Sequence, residues 1–369
     1  MSRTVAILGG THGNETNGVF VVDSYKSNRA LVHRPSFKDV LLVTTNTKAV
    51  KQNTRFVDAD LNRRFPVSEL RDHDALSDVY EAQRAKTLNM LLGPKPGSHL
   101  TEGDLSGAVD RTDFVIDLHT TTSNMGCCII VPCDDPFSMR CAVYARSKML
   151  AEDEGKSGTA PVKIFRVGLP RADTPYIASC GKHSLIIECG PTPWGVVRYD
   201  IVRLMQRCTK HILDYVDSIP AGELSDEGAL APTSAVPKAA TVNVAIINPA
   251  TGVPAKIPAP ADEDGRPLAM FHPDLQDKDW RELRTGDPMF VRMDGVTVDR
   301  YDGRHGEVVK AHFVNEAAYY LPSSGLGFEL SQEAELPLWG EEAKAERISA
   351  LLTGNVDDDG APAKKRRTK

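Results

Sequence analysis

His12 and Glu15 stand three residues apart in the string Gly-Gly-Thr-His-Gly-Asn-Glu (9–15), directly after an apolar run over residues 5–8. An imidazole and a carboxylate at that spacing can converge on one cation, although a lone pair of this kind is structural more often than not. His119 closes a second apolar run, 114–118, and Glu188 closes a third, 184–187. If these runs are parallel strands, their carboxyl ends share the sheet edge where open α/β folds place ligands. His12, Glu15 and His119 would then make the three-ligand set of a catalytic zinc site, with Glu188 placed as general base for an attacking water. Taken singly, each residue has a plainer account: a strand-end histidine bonded to backbone, or a capping or ion-paired glutamate.

Residues 54–65 gather Arg55, Asp58, Asp60, Arg63 and Arg64 in a short stretch. Arginine binds carboxylates bidentately and stabilises developing oxyanions. A merely solvated loop would leave the apolar residues Phe56, Val57, Leu61 and Phe65 unexplained.

Elements able to position these groups are visible as short apolar runs at 5–8, 40–43, 114–118, 127–131 and 185–187, separated by helical patterns. That alternation predicts an α/β domain with a central, mostly buried sheet. Ile201, Leu204, Met205, Cys208, Ile212, Tyr215 and Val216 predict a helix over 200–216 with one apolar face, and a second is predicted over 75–92, stopped by Gly93-Pro94. Past Ile219 small and polar residues mark a linker. Further on, Asp294-Gly295 between 288–293 and 296–299 predicts a hairpin whose two central positions both favour positive φ. The expected organisation is a catalytic domain over 1–218, a linker over 219–240, a β-rich domain over 241–354 and a disordered charged tail over 355–369.

Composition narrows the functional classes. Of 369 residues, 41% are hydrophobic and 25% charged, enough for a sizeable core and unlike a disordered chain. The net charge is −6, yet Lys364, Lys365, Arg366, Arg367 and Lys369 crowd the end, so the body is more acidic still. Such a body repels phosphate backbones, which argues against nucleic acid as a partner. A solvated terminus accounts for the basic run more simply than nuclear localisation does. No run approaches a membrane span, and Met1-Ser2-Arg3 leads straight into an apparent strand, so the expectation is a cytoplasmic chain with no membrane partner. Seven cysteines, odd in number and without CxxC spacing, are expected to be reduced and buried. Gly9-Gly10-Thr11-His12-Gly13 fails the spacing of a phosphate-binding loop.

Six strings in order carry a resemblance: 9–15 above, Asp-Leu-Asn-Arg (60–63), Asp-Leu-His-Thr-Thr-Thr-Ser-Asn-Met-Gly (117–126), Ile-Glu-Cys-Gly-Pro (187–191), His-Pro-Asp-Leu-Gln-Asp (272–277) and Val-Asn-Glu-Ala-Ala-Tyr-Tyr (314–320). Together they closely resemble the aspartoacylase and aminoacylase-3 family, zinc amidohydrolases related to zinc carboxypeptidases. The resemblance implies a carboxypeptidase-like α/β domain, with a mixed central sheet flanked by helices, and a smaller β-rich C-terminal domain that narrows the entrance. It implies one zinc per chain on His12, Glu15 and His119, with Glu188 as base and Arg55 polarising the scissile carbonyl. Asn62 and Arg63 would hold the substrate carboxylate, Asp60 would fix the ring of His12, and Tyr319 would reach into the site with Glu316 supporting it. The implied reaction is hydrolysis of a small N-acyl amino acid to a carboxylate and a free amino acid.

One departure bears on the substrate. Aspartoacylase proper places an arginine ten residues before the catalytic glutamate, where it pairs with a second substrate carboxylate; here that position is Ala178. Arg166 and Arg171 are the nearby cations, and aminoacylase-3-like members, which take N-acyl aromatic amino acids, share the lack. The expectation is therefore a preference for neutral side chains over N-acetylaspartate. The competing readings are an N-acetylaspartate deacetylase, a desuccinylase or carboxypeptidase, and a non-enzymatic metabolite-binding protein. Monomer and homo-oligomer both remain open.

Overall fold

The structure, a computed structural model, describes residues 3–71, 78–98, 112–220, 235–249, 251–321 and 325–339. Each expected apolar run forms a strand: β1 (Arg3–Gly9), β2 (Phe37–Thr44), β3 (Phe114–Thr120), β4 (Gly126–Cys133) and, after β5 (Val162–Leu169), β6 (His183–Gly190). β5 lies outside the apolar-run pattern because Lys163 and Arg166 break its run; Ile164, Phe165 and Val167 are nevertheless buried. Helices α1 (Thr16–Ser27), α2 (Thr47–Gln52), α3 (Val67–Arg71), α4 (Tyr80–Leu92), α5 (Pro136–Asp153) and α6 (Tyr199–Ser218) flank the strands.

β1 runs parallel to both β2 and β3, and β3 runs parallel to β6, so the carboxyl ends bearing His12, His119 and Glu188 do share one edge. β4 joins β6 antiparallel, which makes the sheet mixed. Alternation sorts side chains between two cores. Val5, Ile7, Phe114, Ile116, Leu185 and Ile187 pack with α5 and α6 on one face. Ala6, Leu8, Val115 and Ile186 pack with Leu88 and Leu92 of α4 on the other. Asp117, His119 and Glu188 share the parity of Val115 and Ile186, and so emerge on the α4 face.

The sheet continues through β7 (Ala239–Ala245) and β14 (Leu326–Pro337) to β13 (Val308–His312) and β10 (Glu282–Arg284), with β8 (Lys256–Pro258) paired to β14. β9 (Ala269–Phe271), β11 (Pro288–Arg292) and β12 (Val298–Arg300) form a small separate sheet. Phe271, Phe290, Tyr301, Phe328 and Leu330 fill a third core there.

Three details differ from the sequence reading. α4 begins at Tyr80, whose N–H donates to Asp58 at 2.8 Å; residues 72–77 lie outside the described residues. The β11–β12 turn is longer than a two-residue hairpin, with positive φ at Gly295 alone, and the Asp294 carboxylate accepts from Val296 N and Thr297 N. Residues 221–234 of the expected linker and the whole expected tail also lie outside the described residues. All seven cysteines are buried. Among the described residues no helix is long and apolar enough to cross a membrane.

Candidate active site

The loop after β1 needs glycine at two places. Gly10 takes φ +74°, and a Cβ on Gly13 would fall 2.1 Å from the Ala49 backbone. This close approach lets Gly13 N donate to Arg55 O at 3.1 Å, seating the Arg55 segment beside His12. Glu15 occupies the N-cap position of α1 without a capping bond from its side chain, which turns to the site instead.

These constraints bring His12, Glu15 and His119 together, all buried, with ligand atoms within 4.8 Å of one another. The glutamate lies between the two rings, Oε1 at 2.5 Å from His12 Nδ1 and Oε2 at 3.0 Å from His119 Nδ1. Thr120 N donates to Oε2 as well, at 3.0 Å. The far ring nitrogens face carboxylates: His12 Nε2 meets Asp60 at 3.1 Å and His119 Nε2 meets Asp117 at 2.7 Å. Such outer carboxylates fix the tautomer that turns Nδ1 inward.

The electrostatics favour a cation at this point. Burial alone would raise the Glu15 carboxyl, but His12 and His119 outweigh it and hold it below the ordinary range. Burial likewise opposes the charged form of His119, yet Asp117 and Glu15 raise it well above its usual value. A metal ion would find the same carboxylates as counter-charges. Two imidazole nitrogens and a carboxylate oxygen are a donor set suited to zinc.

Glu188 pairs in register with His119 across parallel β6 and β3. Its side chain is buried and Oε1 has no hydrogen-bond partner. Burial, then the nearby Glu15 charge, pushes this carboxyl well above its ordinary range. Arg55 lies 3.5 Å from Glu15 and 3.2 Å from Asp60, and with Arg63, Asn62, Glu188, Glu316 and Tyr319 it lines one cavity.

Residues 1–216 match the succinylglutamate desuccinylase/aspartoacylase catalytic domain, and residues 253–327 match the AstE/AspA barrel-sandwich hybrid domain. The chain belongs to the succinylglutamate desuccinylase/aspartoacylase family. Aspartoacylase of Rattus norvegicus is 35% identical over 320 residues, covering 86% of this chain and 89% of that protein. The N-acyl-aromatic-L-amino acid amidohydrolase (carboxylate-forming) of Xenopus tropicalis is 33% identical over 316 residues, with 86% and 89% covered. The crystal structure of murine aminoacylase 3 superposes with a TM-score of 0.74 at 29% identity, covering 91% of this chain and 97% of that one.

In this family member the C-terminal half reaches the site through the string around Glu316. That carboxylate accepts from Thr121 Oγ1 and from Thr122 N, the latter at 3.0 Å, and so fixes the turn that follows His119. Tyr319 lines the cavity and donates its hydroxyl to Glu329 at 2.5 Å, while Lys256 pairs with the same carboxylate at 2.7 Å. The Asn62 carbonyl accepts from Ile177 N at 3.0 Å, and its amide nitrogen lies 3.5 Å from His119 Nε2 at the cavity.

Neither alternative arginine lines the cavity. Arg166 pairs with Asp134 at 3.2 Å, and Arg171 donates to the carbonyls of Ser179 and Cys180. Ala178 lies behind the wall in the α4-side core. The wall itself is apolar or aromatic: Ile130, Phe165, Val167, Tyr176, Ile186 and Phe313.

Two positioning groups escaped the sequence reading. Asp117 sits two residues before His119 on one strand face, a spacing that could have revealed it. Glu81 of α4 is fully buried and accepts from Val57 N at 2.7 Å, Asp58 N at 3.0 Å and Ala59 N at 3.1 Å, pinning the segment that delivers Asp60. Only an acidic residue in the first turn of a helix hinted at it.

Proposed function

We propose that this chain hydrolyses the amide of N-acyl amino acids with neutral side chains, releasing a carboxylate and a free amino acid. His12, Glu15 and His119 would hold one zinc. The observation that carries the reading is Glu188: a buried carboxylate with an unpartnered oxygen, in register beside His119 and facing a cavity lined by two arginines. When bound, zinc supplies Lewis acidity toward the acyl carbonyl and the attacking water.

The protein's own groups account for the rest. A carboxyl lifted by burial and by Glu15 binds a proton more readily than an exposed glutamate, as a group must that takes a proton from water and returns it to the departing amine. Arg55 presents a guanidinium to the oxygen on which charge develops. Arg63, exposed at the cavity, and the amide of Asn62, held 3.5 Å from His119 Nε2, offer donors to the α-carboxylate. With the Phe165, Val167 and Tyr176 wall facing the side chain and, among the described residues, no Lys or Arg besides Arg55 and Arg63 lining the cavity, a second carboxylate would be desolvated without a partner, typically a cost of several kcal/mol.

The 35% and 33% identities to an aspartoacylase and an aromatic-amino-acid amidohydrolase are too close to choose between their substrates. The deciding experiment compares kcat/KM for N-acetyl-tyrosine, N-acetyl-leucine and N-acetylaspartate on the zinc-loaded protein. Higher values for the first two are expected; a clear preference for N-acetylaspartate would overturn the neutral-side-chain assignment.

A further inference from the structure

We infer that Lys95 is a positioning residue for recognition of the substrate carboxylate, its ammonium tying together the two segments that carry Asn62 and Arg63 on one side and Tyr176 on the other. The inference rests on the reading in which Asn62 and Arg63 hold that carboxylate.

Lys95 is fully buried, and its Nζ donates to Phe65 O at 2.8 Å, Thr174 O at 2.9 Å and Ser179 Oγ at 2.9 Å. All three acceptors are neutral. Burying a charge without a counter-charge is unfavourable, and an apolar side chain of similar length would fill the space without that cost, so packing alone is a poor account of a lysine here. Burial lowers its ammonium to about 8, which leaves it mostly charged at neutral pH.

Each acceptor belongs to a segment that ends at the cavity. Phe65 lies two residues beyond Arg63. Thr174 lies two residues before Tyr176, a cavity-lining ring over which the Arg63 guanidinium stands at 5.5 Å. Ser179 is in the 3-10 turn Ile177–Cys180, whose first N–H holds Asn62, and its hydroxyl donates onward to Tyr176 O at 2.6 Å. Lys95 is itself anchored just past α4, donating N–H to Asn89 Oδ1 at 2.9 Å and accepting from Ser98 N at 3.0 Å. An exposed arginine depends for its aim on the backbone beneath it, and Lys95 fixes that backbone to the surface over which the arginine lies.

The test measures KM and kcat for N-acetyl-leucine and N-acetyl-leucinamide, together with zinc content, in wild type, Lys95→Met, Ser179→Ala and Arg63→Ala. Lys95→Met should raise KM for N-acetyl-leucine on the order of 10-fold and shrink its advantage over the carboxamide, with kcat and zinc content little changed. Ser179→Ala should move both quantities in the same direction by less, and it decides the matter if Lys95→Met does not fold. Wild-type KM and selectivity in these variants, or equal losses for both substrates, would overturn the role of Lys95. If Arg63→Ala keeps wild-type selectivity, the carboxylate reading itself falls, and the inference with it.

Discussion

The Trp280 indole lies nearly flat against the His312 imidazole, with ring centroids 5.0 Å apart and planes inclined by 16°. Phe165 of β5 meets the same imidazole edge-on at 4.6 Å, and Trp280 Nε1 donates to Met125 O at 3.1 Å. An aromatic stack thus joins the strands of the two halves directly behind the cavity wall.

That stack should make stability depend on pH. Burial lowers His312 to about 4, whereas an unfolded histidine titrates at about 6.5. The folded-state value is the lower one, so between them the unfolded chain binds more protons and stability falls as pH drops through that window. The slope from this group is at most about 1.4 kcal/mol per pH unit. Urea unfolding of wild type and His312→Phe at pH 7 and pH 5 should show a smaller pH penalty in the variant; equal penalties would remove His312 from the account.

Ligand and base roles separate by mutation. Glu188→Gln should keep close to one zinc per chain while turnover drops about 100-fold or more, and His12→Ala should lose metal as well. Metal analysis alongside steady-state rates checks this, and near-wild-type turnover in Glu188→Gln would mean that another group moves the proton.

Asp60 touches His12 and Arg55 at once, at 3.1 and 3.2 Å. Asp60→Ala should weaken metal affinity or activity by about 10–100-fold, as partners of metal-ligating histidines commonly do. Competition with a chelator reads the affinity directly, and unchanged retention would leave Asp60 its contacts with Arg55 and with Asn62 N.

Glu81 is the test of loop support. Removing a buried carboxylate that accepts three backbone N–H groups strands those donors, so Glu81→Ala should cost about 2–5 kcal/mol in urea unfolding. Turnover should fall too, because Asp60 and Arg55 lose their footing. A stability change within about 0.5 kcal/mol would show that water replaces the carboxylate.

Much of the site was legible because its residues stand near the carboxyl ends of largely apolar strands: His119 in β3 and Glu188 in β6, where parity and the parallel register put them on one face. Leu61 and Phe65, which a solvated loop could not explain, are fully buried beneath Asn62 and Arg63. β5 was illegible because Lys163 and Arg166 interrupt its pattern while its neighbours satisfy both edges. Glu81 and Lys95 were illegible for a different reason. A buried charge is defined by the distant backbone groups it meets, and nothing within a few residues of either one announces those partners.

The seam between β5 and β7 bears on how the chain is made. β7 covers the outer edge of β5 at Phe165 and Arg166, pairing them with Asn243 and Val244. In a nascent chain, β5 with Phe165 and Val167 is synthesised well before residue 243 exists, so any sheet that forms in that interval lacks β7. For that interval the growing polypeptide carries an open sheet edge beside apolar side chains, the kind of surface on which chains stick to one another and to which chaperones bind. Slowed translation between residues 217 and 245 would prolong that exposure, and faster elongation would shorten it.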